Sequence, residues 1–285
     1  MTSVENKSFV KLSDLSRIEI VNILNEVFKG YILNFFWTIQ TLEKDLKEND
    51  ISLQDSFVLM LNKEPIGIAL LSFRDVRCKI DIMGIVKKHR RSGYGFEVVD
   101  RVIEICRWKG VKKIILEVPK ADKAAFSFYE KFGFKETRIL ETFNRRTDKE
   151  SSSSFHMELS DIKLITNYAH ESYGKHNRSL NWMREPSNLP HLSFYNSVTI
   201  KDPAGKTVGF CIWGHRGSMF YIIDLAPLGQ ISFTELLGEV LKMVSETFDY
   251  VLIASVPRDD PLAASAEELG FRSILTLKEM VFNLH

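Results

Sequence analysis

Leu15, Ile18, Val21, Ile23, Leu24, Val27 and Phe28 recur at the spacing of one helical face, and Ser13 stands before them as an N-cap. A second helix is predicted over Thr38–Glu48, ended by the polar pair Asn49-Asp50. From Phe57 the pattern changes to strands. Phe57–Leu61, the polar turn Asn62–Pro65 and Ile66–Phe73 read as a hairpin, and Lys79–Val86 as a third strand. Gly93–Lys109 is a long amphipathic helix with Phe96, Val99, Val102, Ile103 and Cys106 on one face, and Gly110 stops it. Val111–Val118 is a strand, Asp122–Phe132 a helix and Phe134–Phe143 another strand. Asn144–Ser153 is polar and serine-rich, a loop or a linker. Phe155–Leu159 is expected to return as the last strand of the first half. This places a domain boundary near Ser160, with domains at 1–159 and 160–285.

The second half repeats the first in outline. Gly133 and Gly270 lie 137 positions apart, as do Ile114 and Val251, while Ile66-Gly67 and Val208-Gly209 are offset by 142. Asp202-Pro203-Ala204-Gly205 supplies the hairpin turn of the second copy. Strands alternating with helices in each half give an α/β (α+β) class, two related domains each with a mixed sheet flanked by helices.

Composition narrows the function classes. Of 285 residues, 45% are hydrophobic and 26% charged, which is ordinary globular usage. Lys plus Arg number 38 against 37 Asp plus Glu, so the basic excess of a nucleic-acid binder is absent. Three cysteines without a CxxC spacing make neither a disulfide framework nor a cysteine-based zinc site. The start, MTSVENKSFVKLSD, lacks the apolar stretch of a signal peptide, and no apolar run reaches the roughly 18 residues that span a bilayer. The expectation is a cytoplasmic two-domain protein with no membrane or nucleic-acid partner and no metal, since the histidines show no ligand spacing.

The densest chemistry lies in Ile85-Val86-Lys87-Lys88-His89-Arg90-Arg91-Ser92-Gly93-Tyr94-Gly95-Phe96, where a strand ends, a basic glycine turn follows and a helix begins. Free N–H groups and the positive end of the helix dipole make such a turn an anion site. With Val98 where a third glycine would stand, and no GK[ST], neither a dinucleotide turn nor a P-loop fits. Arg90-x-x-Gly93-x-Gly95 resembles the acyl-CoA pyrophosphate motif of the GCN5-related N-acetyltransferase (GNAT) superfamily. So does Ala125-x-x-Phe128-Tyr129-Glu130-Lys131-Phe132-Gly133-Phe134, which follows at the expected distance. The resemblance covers Phe57–Leu159. It implies that Arg90, Arg91, Ser92, Gly93, Tyr94, Gly95 and Phe96 hold the pyrophosphate, mainly through backbone amides. It also implies that Gly84, Ile85 and Val86 line the pantetheine arm, and that the helix with Phe128 and Tyr129 flanks the thioester. Asp122 stands where the family commonly has asparagine, and a carboxylate cannot donate to that arm as an amide does.

Acetyl transfer to an amine needs a base for the ammonium and a proton donor for the leaving thiolate. The resemblance points to Tyr129 as donor, with a satisfied core tyrosine as the alternative. Alternation along Lys79–Ile85 puts Lys79, Asp81, Met83 and Ile85 on one face. The resemblance, in which several members carry a catalytic His or carboxylate on that face, implies Asp81 as the base, with a solvated Asp as the alternative and Glu117 as the reserve. Cys78, Cys106 and Cys211 read as packing residues, and His89 as a rim contact. Phe28, Tyr31, Phe35, Phe36 and Trp37 form either a core patch or an aromatic acceptor pocket. In the second half the glycine turn is replaced by Leu225-Ala226-Pro227-Leu228-Gly229-Gln230, and Ala266 stands at the position of Tyr129. That half is therefore expected to be a degenerate copy that covers the acceptor side or dimerises, with Trp182, Phe194, Tyr195 and Trp213 as candidate lid residues. The implied partners are acetyl-CoA and a small-molecule primary amine, with a peptide amine or non-catalytic acyl-CoA sensing as alternatives.

Overall fold

One element lies upstream of anything the hydrophobic pattern marks. In the computed structural model, which describes residues 6–149 and 152–284, β1 (Lys7–Lys11) pairs antiparallel with β2 (Phe57–Leu61). Part of the polar stretch Asn144–Ser153 and the first five residues therefore lie outside the described residues. α1 (Arg17–Val27) is capped by Ser16, not Ser13. The Ser16 hydroxyl accepts from the Glu19 amide, and the Glu19 carboxylate accepts from the Ser16 amide. α2 (Ile39–Glu48) starts from Thr38 and stops at Asn49, with Asp50 left-handed at φ 52°.

The chain forms two compact units, one of Met1–Thr137 with Glu279–His285, the other of Arg138–Lys278. In the first, β1, β2, β3 (Glu64–Arg74), β4 (Arg77–Ile85) and β5 (Lys113–Pro119) lie side by side, with the end of β12 (Arg272–Asn283) beyond β5. Asn62 and Lys63, at φ 51° and 69°, make the tight turn into β3. Val98, Val99, Val102 and Cys106 of α3 (Tyr94–Trp108) pack with Tyr129 of α4 (Lys123–Phe132), Ile114 and Leu116 on one side of this sheet. Met280 and Leu284 complete that core. On the other side Ile20, Leu24 and Val27 of α1 and Leu42 and Leu46 of α2 pack against Val58, Ile68 and Leu70. Each of these fully buried aliphatic side chains contributes about 1.5–3 kcal/mol relative to exposure.

β4 does not alternate uniformly. Leu70 pairs with Ile82 and Leu71 with Ile80, so Asp81 is an extra residue in the ladder. Cys78 and Ile80 belong to the α3 side, and past the bulge so do Met83 and Ile85, while Ile82 packs toward α1. The expected shared face of Lys79, Asp81, Met83 and Ile85 is therefore broken: Lys79 and Asp81 stay on the α1 side and Met83 and Ile85 go to the other. A constant period of two fails wherever one residue is inserted.

In the second unit the sheet order is β6 (Lys135–Arg146), β11 (Tyr250–Pro257), β10 (Met219–Pro227), β9 (Thr207–Arg216), β8 (Asn196–Lys201) and β7 (His156–Leu159). β6 continues through Asn144–Arg146, and these polar residues pair with Leu252, Val251 and Tyr250. β7 pairs antiparallel with β8. α5 (Ile162–Lys175), α6 (Phe233–Val244) and α7 (Pro261–Glu268) complete the unit. The hairpin turn at Asp202–Gly205 forms as expected, with Gly205 at φ 78° and the Asp202 carboxylate accepting from the Ala204 and Lys206 amides. Among the described residues no helix is long and apolar enough to cross a membrane.

Candidate active site

The parallel pairing of β4 with β5 ends at Ile80↔Leu116, although β4 runs on to Ile85 and β5 to Pro119. The two strands part there and leave a split. Gly84 lies on the departing arm, where a Cβ would come within 2.5 Å of Val27 Cγ1, so the end of α1 rests directly on backbone. Ile85 and Val86 are buried, and the Val86 amide donates to the Ile66 carbonyl at 2.8 Å.

Beyond Val86 the chain makes a short 3-10 turn, Lys87–His89, and enters α3 through Arg91 at φ 64° and Gly93 at φ 87°. No side chain caps this helix, and a Cβ on Gly93 would meet nothing within 4 Å. Arg91, Ser92 and Gly93 are exposed around it. The result is a helix N-terminus presented to solvent in a basic turn, suited to an anion. The two motif glycines have different reasons. Gly93 supplies the left-handed conformation, whereas a Cβ on Gly95 would lie 3.1 Å from the Phe128 ring. Phe128 in turn packs edge-on against Phe96 at 5.3 Å, tying α4 to the start of α3. Tyr94 is buried and meets the His89 ring at 6.0 Å. Arg90 is occupied elsewhere. Its Nε donates to the Ile85 carbonyl at 2.8 Å and its Nη2 to the Val27 carbonyl at 2.9 Å. The guanidinium thus braces the end of α1 against the end of β4 and satisfies a helix C-terminal carbonyl.

On the α1 side of the split sits a cluster of charges. Lys79 Nζ lies 3.3 Å from Asp81 Oδ1 and 3.5 Å from Glu117 Oε1, and the Ser72 hydroxyl donates to Asp81 Oδ2. The Asp81 and Lys79 side chains are 5% and 10% exposed. Burial raises the Asp81 pKa above the ordinary carboxylate value, against the opposing pull of Lys79 and Ser72. Burial works against the Lys79 charge, but Glu117 and Asp81 outweigh it and hold the ammonium above its usual pKa.

Tyr129 approaches from α4. It is 8% exposed, and its hydroxyl donates to Met83 Sδ at 3.5 Å, on the arm of β4 past the split. Burial, followed by the charges of Tyr31 and Asp122, pushes its pKa up, so it is a protonated phenol across the physiological range. Asp122 caps α4 by accepting from the Ala125 amide at 2.9 Å. It also hydrogen-bonds Tyr31, whose pKa is raised by burial and by that carboxylate. Tyr31 thereby brings the segment after α1 to Asp122 and Tyr129. It was visible in the sequence only as one of five clustered aromatics. Of these, Phe28 and Trp37 are core, with Trp37 Nε1 donating to Asp45 Oδ2 at 2.8 Å, whereas Phe35 and Phe36 are exposed. The three cysteines are buried and free. Among the described residues no cluster of His, Cys, Asp or Glu is arranged for a metal.

The second unit has the same split, because β10 and β11 part at Ile222↔Ile253. It is filled from within. Arg178 donates to Asp224 Oδ1 at 2.9 Å and to Asp260 Oδ1 at 3.2 Å. Arg184, fully buried, donates to the Ser255 carbonyl at 2.8 Å and to the Ala254 carbonyl. α6 is closed by its own capping box, with the Ser232 hydroxyl and Glu235 carboxylate on its first amides. Trp182 is buried, Trp213 stacks on Phe220 at 4.6 Å, Tyr195 meets Tyr221 at 6.4 Å, and Phe194 is 53% exposed.

Residues 20–134 match the acetyltransferase (GNAT) family model. Part of the chain is 33% identical over 85 residues to N-alpha-acetyltransferase 30 of Schizosaccharomyces pombe, a stretch covering 28% of this chain and 56% of that protein. The whole fold resembles a tandem GNAT protein from the clavulanic acid biosynthesis pathway, at TM-score 0.69 and 12% identity over 98% of each chain. It also resembles a GCN5-related N-acetyltransferase from Sphaerobacter thermophilus, at TM-score 0.68 and 11% identity over 98% of this chain and 95% of that one.

Proposed function

Through residues 20–134 the chain belongs to the GNAT acetyltransferase family, and from that premise we propose that it transfers an acetyl group from acetyl-CoA to a primary amine in a ternary complex. The observation that carries this reading is the split at Ile80↔Leu116. It is flanked by buried Tyr129 on the α4 side and by the Asp81 cluster on the α1 side, with the uncapped N-terminus of α3 beyond its open end.

The residues present fit acetyl-CoA, since the cradle at Gly93 is open and the first amides of α3 have no side-chain cap. Backbone amides from Arg91 to Gly95 would hold the pyrophosphate, with Gly84, Ile85 and Val86 along the arm. Arg90 shapes the turn from behind. Asp122 acts as a cap and as a partner of Tyr31. The bound group supplies an acetyl thioester. Asp81, with Glu117 in reserve, takes a proton from the ammonium, directly or through water, and frees the amine lone pair. As the C–N bond forms and the C–S bond breaks, the Tyr129 hydroxyl gives its proton to sulfur, and the second proton that nitrogen sheds on becoming an amide passes to solvent, from which the phenol is restored. Amide, thiol and one proton are released.

A small-molecule amine fits a neutral chain with no acidic groove marked in its sequence. The second reading, a peptide amino terminus, is favoured by the 33% identity to a protein N-alpha-acetyltransferase. A panel of both acceptor classes, assayed by free-thiol release, separates them. On any acceptor found, Tyr129→Phe should lower kcat by about 100-fold or more with little change in the KM for acetyl-CoA. An unchanged kcat near the pH optimum removes Tyr129 as donor.

A further inference from the structure

The charged cluster contains one residue the mechanism leaves without a task. Lys79 is 8% exposed, and a lysine is rarely taken so far out of water. It sits one residue before the last paired rung of β4 and β5, where it pairs with Ile115, and opposite Ser72 on β3. The inserted residue Asp81 turns its carboxylate to the same side, and Glu117 follows directly on the last paired residue of β5. Two carboxylates and one ammonium therefore meet where the strands part, with one negative charge uncompensated. Glu117 Oε1, buried, has no hydrogen-bond partner among the described residues and rests on the Lys79 ion pair at 3.5 Å. From α1 and α2, Ile20, Leu24, Val27, Leu42 and Leu46 pack on this side of the sheet, and the buried Glu48 of α2 pairs with Lys44.

That arrangement has a consequence for proton transfer. Two carboxylates sharing a dry site cannot both ionise, and one of them keeps a proton. A base that already holds a proton does no work. An ammonium beside Asp81 favours its ionised form, and two carboxyl groups against one ammonium suit an incoming cation. We propose that Lys79 is a positioning residue, which favours the ionised form of Asp81, holds Asp81 and Glu117 together at the split and makes the site selective for an acceptor that arrives as an ammonium ion. This rests on the acetyl-transfer reading above.

The groups that act on Asp81 are Lys79 on its own strand, Glu117 on β5 and the Ser72 hydroxyl on β3, while the Cys78 thiol feels its charge. Removing Lys79 and removing Glu117 should therefore move the Asp81 titration in opposite directions. The experiment reads it twice, by carboxyl-13C NMR of the unliganded protein and by the acidic limb of kcat/KM against pH. In Lys79→Met both should move up by at least one unit, so that activity on the acid side falls about tenfold per unit. In Glu117→Gln both should move down. The KM for acetyl-CoA should hold in each variant, and Lys79→Arg should return the limb toward wild type. If Lys79→Met fails to fold, Glu117→Gln and the pair Lys79→Met with Glu117→Gln retain the test, the pair leaving Asp81 alone in a dry site with its limb raised. Limbs that stay in place, or shift the same way in both single variants, overturn the inference even where turnover is intact. A wild-type protein that binds acetyl-CoA but turns over no amine overturns the acetyl-transfer reading instead. The NMR titration then still decides whether Lys79 sets the ionisation of Asp81.

Discussion

The two units use one scaffold in opposite ways. Their parallel strands part at corresponding rungs, Ile80↔Leu116 and Ile222↔Ile253, and each carries a register slip just past that point, at Asp81 and at Ile223. In the first unit the helix that follows begins at a bare glycine, and the charges at the split do not balance. In the second the helix is closed by Ser232 and Glu235, two arginines meet two aspartates, and Ala266 replaces the tyrosine. Among the described residues there, the buried arginines and aspartates balance one another. Burial opposes the Arg178 charge, yet Asp224 and Asp260 hold its pKa above the ordinary arginine value. The difference teaches that closing a split in this fold takes more than exchanging motif residues. A split between strands exposes carbonyls and a helix end, and these must be satisfied from inside if no ligand satisfies them.

The largest effect should come from opening the closed split. Arg178→Met leaves Asp224 and Asp260 buried without their main counter-charge, at a cost of about 3–5 kcal/mol, read from urea denaturation. Acetyl-CoA titrated into this variant, where still folded, should bind with the same stoichiometry as wild type. A second equivalent would mean that the arginine alone closed the site. Next in size is the reverse operation. Gly95→Glu sets a carboxylate at the open helix end, where it suits the helix dipole and needs only the Phe128 ring to give. Acetyl-CoA affinity should fall by about 100-fold or more, which corresponds to about 2.7 kcal/mol, with the unfolding transition retained. Undiminished binding in this variant would move the anion site elsewhere, the second unit included, and the comparison would fail.

How much of this was readable in the chain depends on what each feature rests on. Helices α2, α3 and α4 follow apolar spacing and caps, which are local, and their limits agree with expectation within a residue or so. α1 starts three residues later than a Ser13 cap implies, because Ser16 and Glu19 form the capping box and Ser13 lies in the turn before it. β1 leaves no mark in the hydrophobic pattern, because its five mostly exposed residues carry no strong alternation. The tail of β6 reads as loop by composition, yet ladder hydrogen bonds come from backbone and accept Asn144, Arg145 and Arg146. The site motif was legible as a pattern and not as a set of tasks. Arg90 acts on a carbonyl 63 residues away, and no residue type marks the bulge at Asp81. Lys79, Tyr31, Arg178 and Arg184 take their meaning from tertiary partners, which spacing does not encode.

The smallest effect concerns pH and separates the units by sign. In the second unit Glu141 is 2% exposed, and its carboxylate accepts from Arg258, Ser273 and Thr276. Burial opposes its charge, but these donors prevail and hold its pKa below the ordinary glutamate value. A carboxylate lowered on folding stabilises the native state above its unfolded pKa and loses that contribution as pH falls through the folded one. Asp81 in the first unit runs the other way. Its folded pKa lies above the unfolded value, so its protonated form favours folding at low pH, and that preference is lost as pH rises through the folded value. Denaturation followed from pH 7 to pH 3 should therefore show Glu141→Gln losing stability at neutral pH, by about 1 kcal/mol, while falling less steeply than wild type toward acid. Asp81→Asn should leave neutral stability equal or higher and steepen the fall toward acid, since it removes a group that gains from protonation. Parallel curves for the two variants would mean that the ionisation of these carboxylates is set alike in the open and the closed unit.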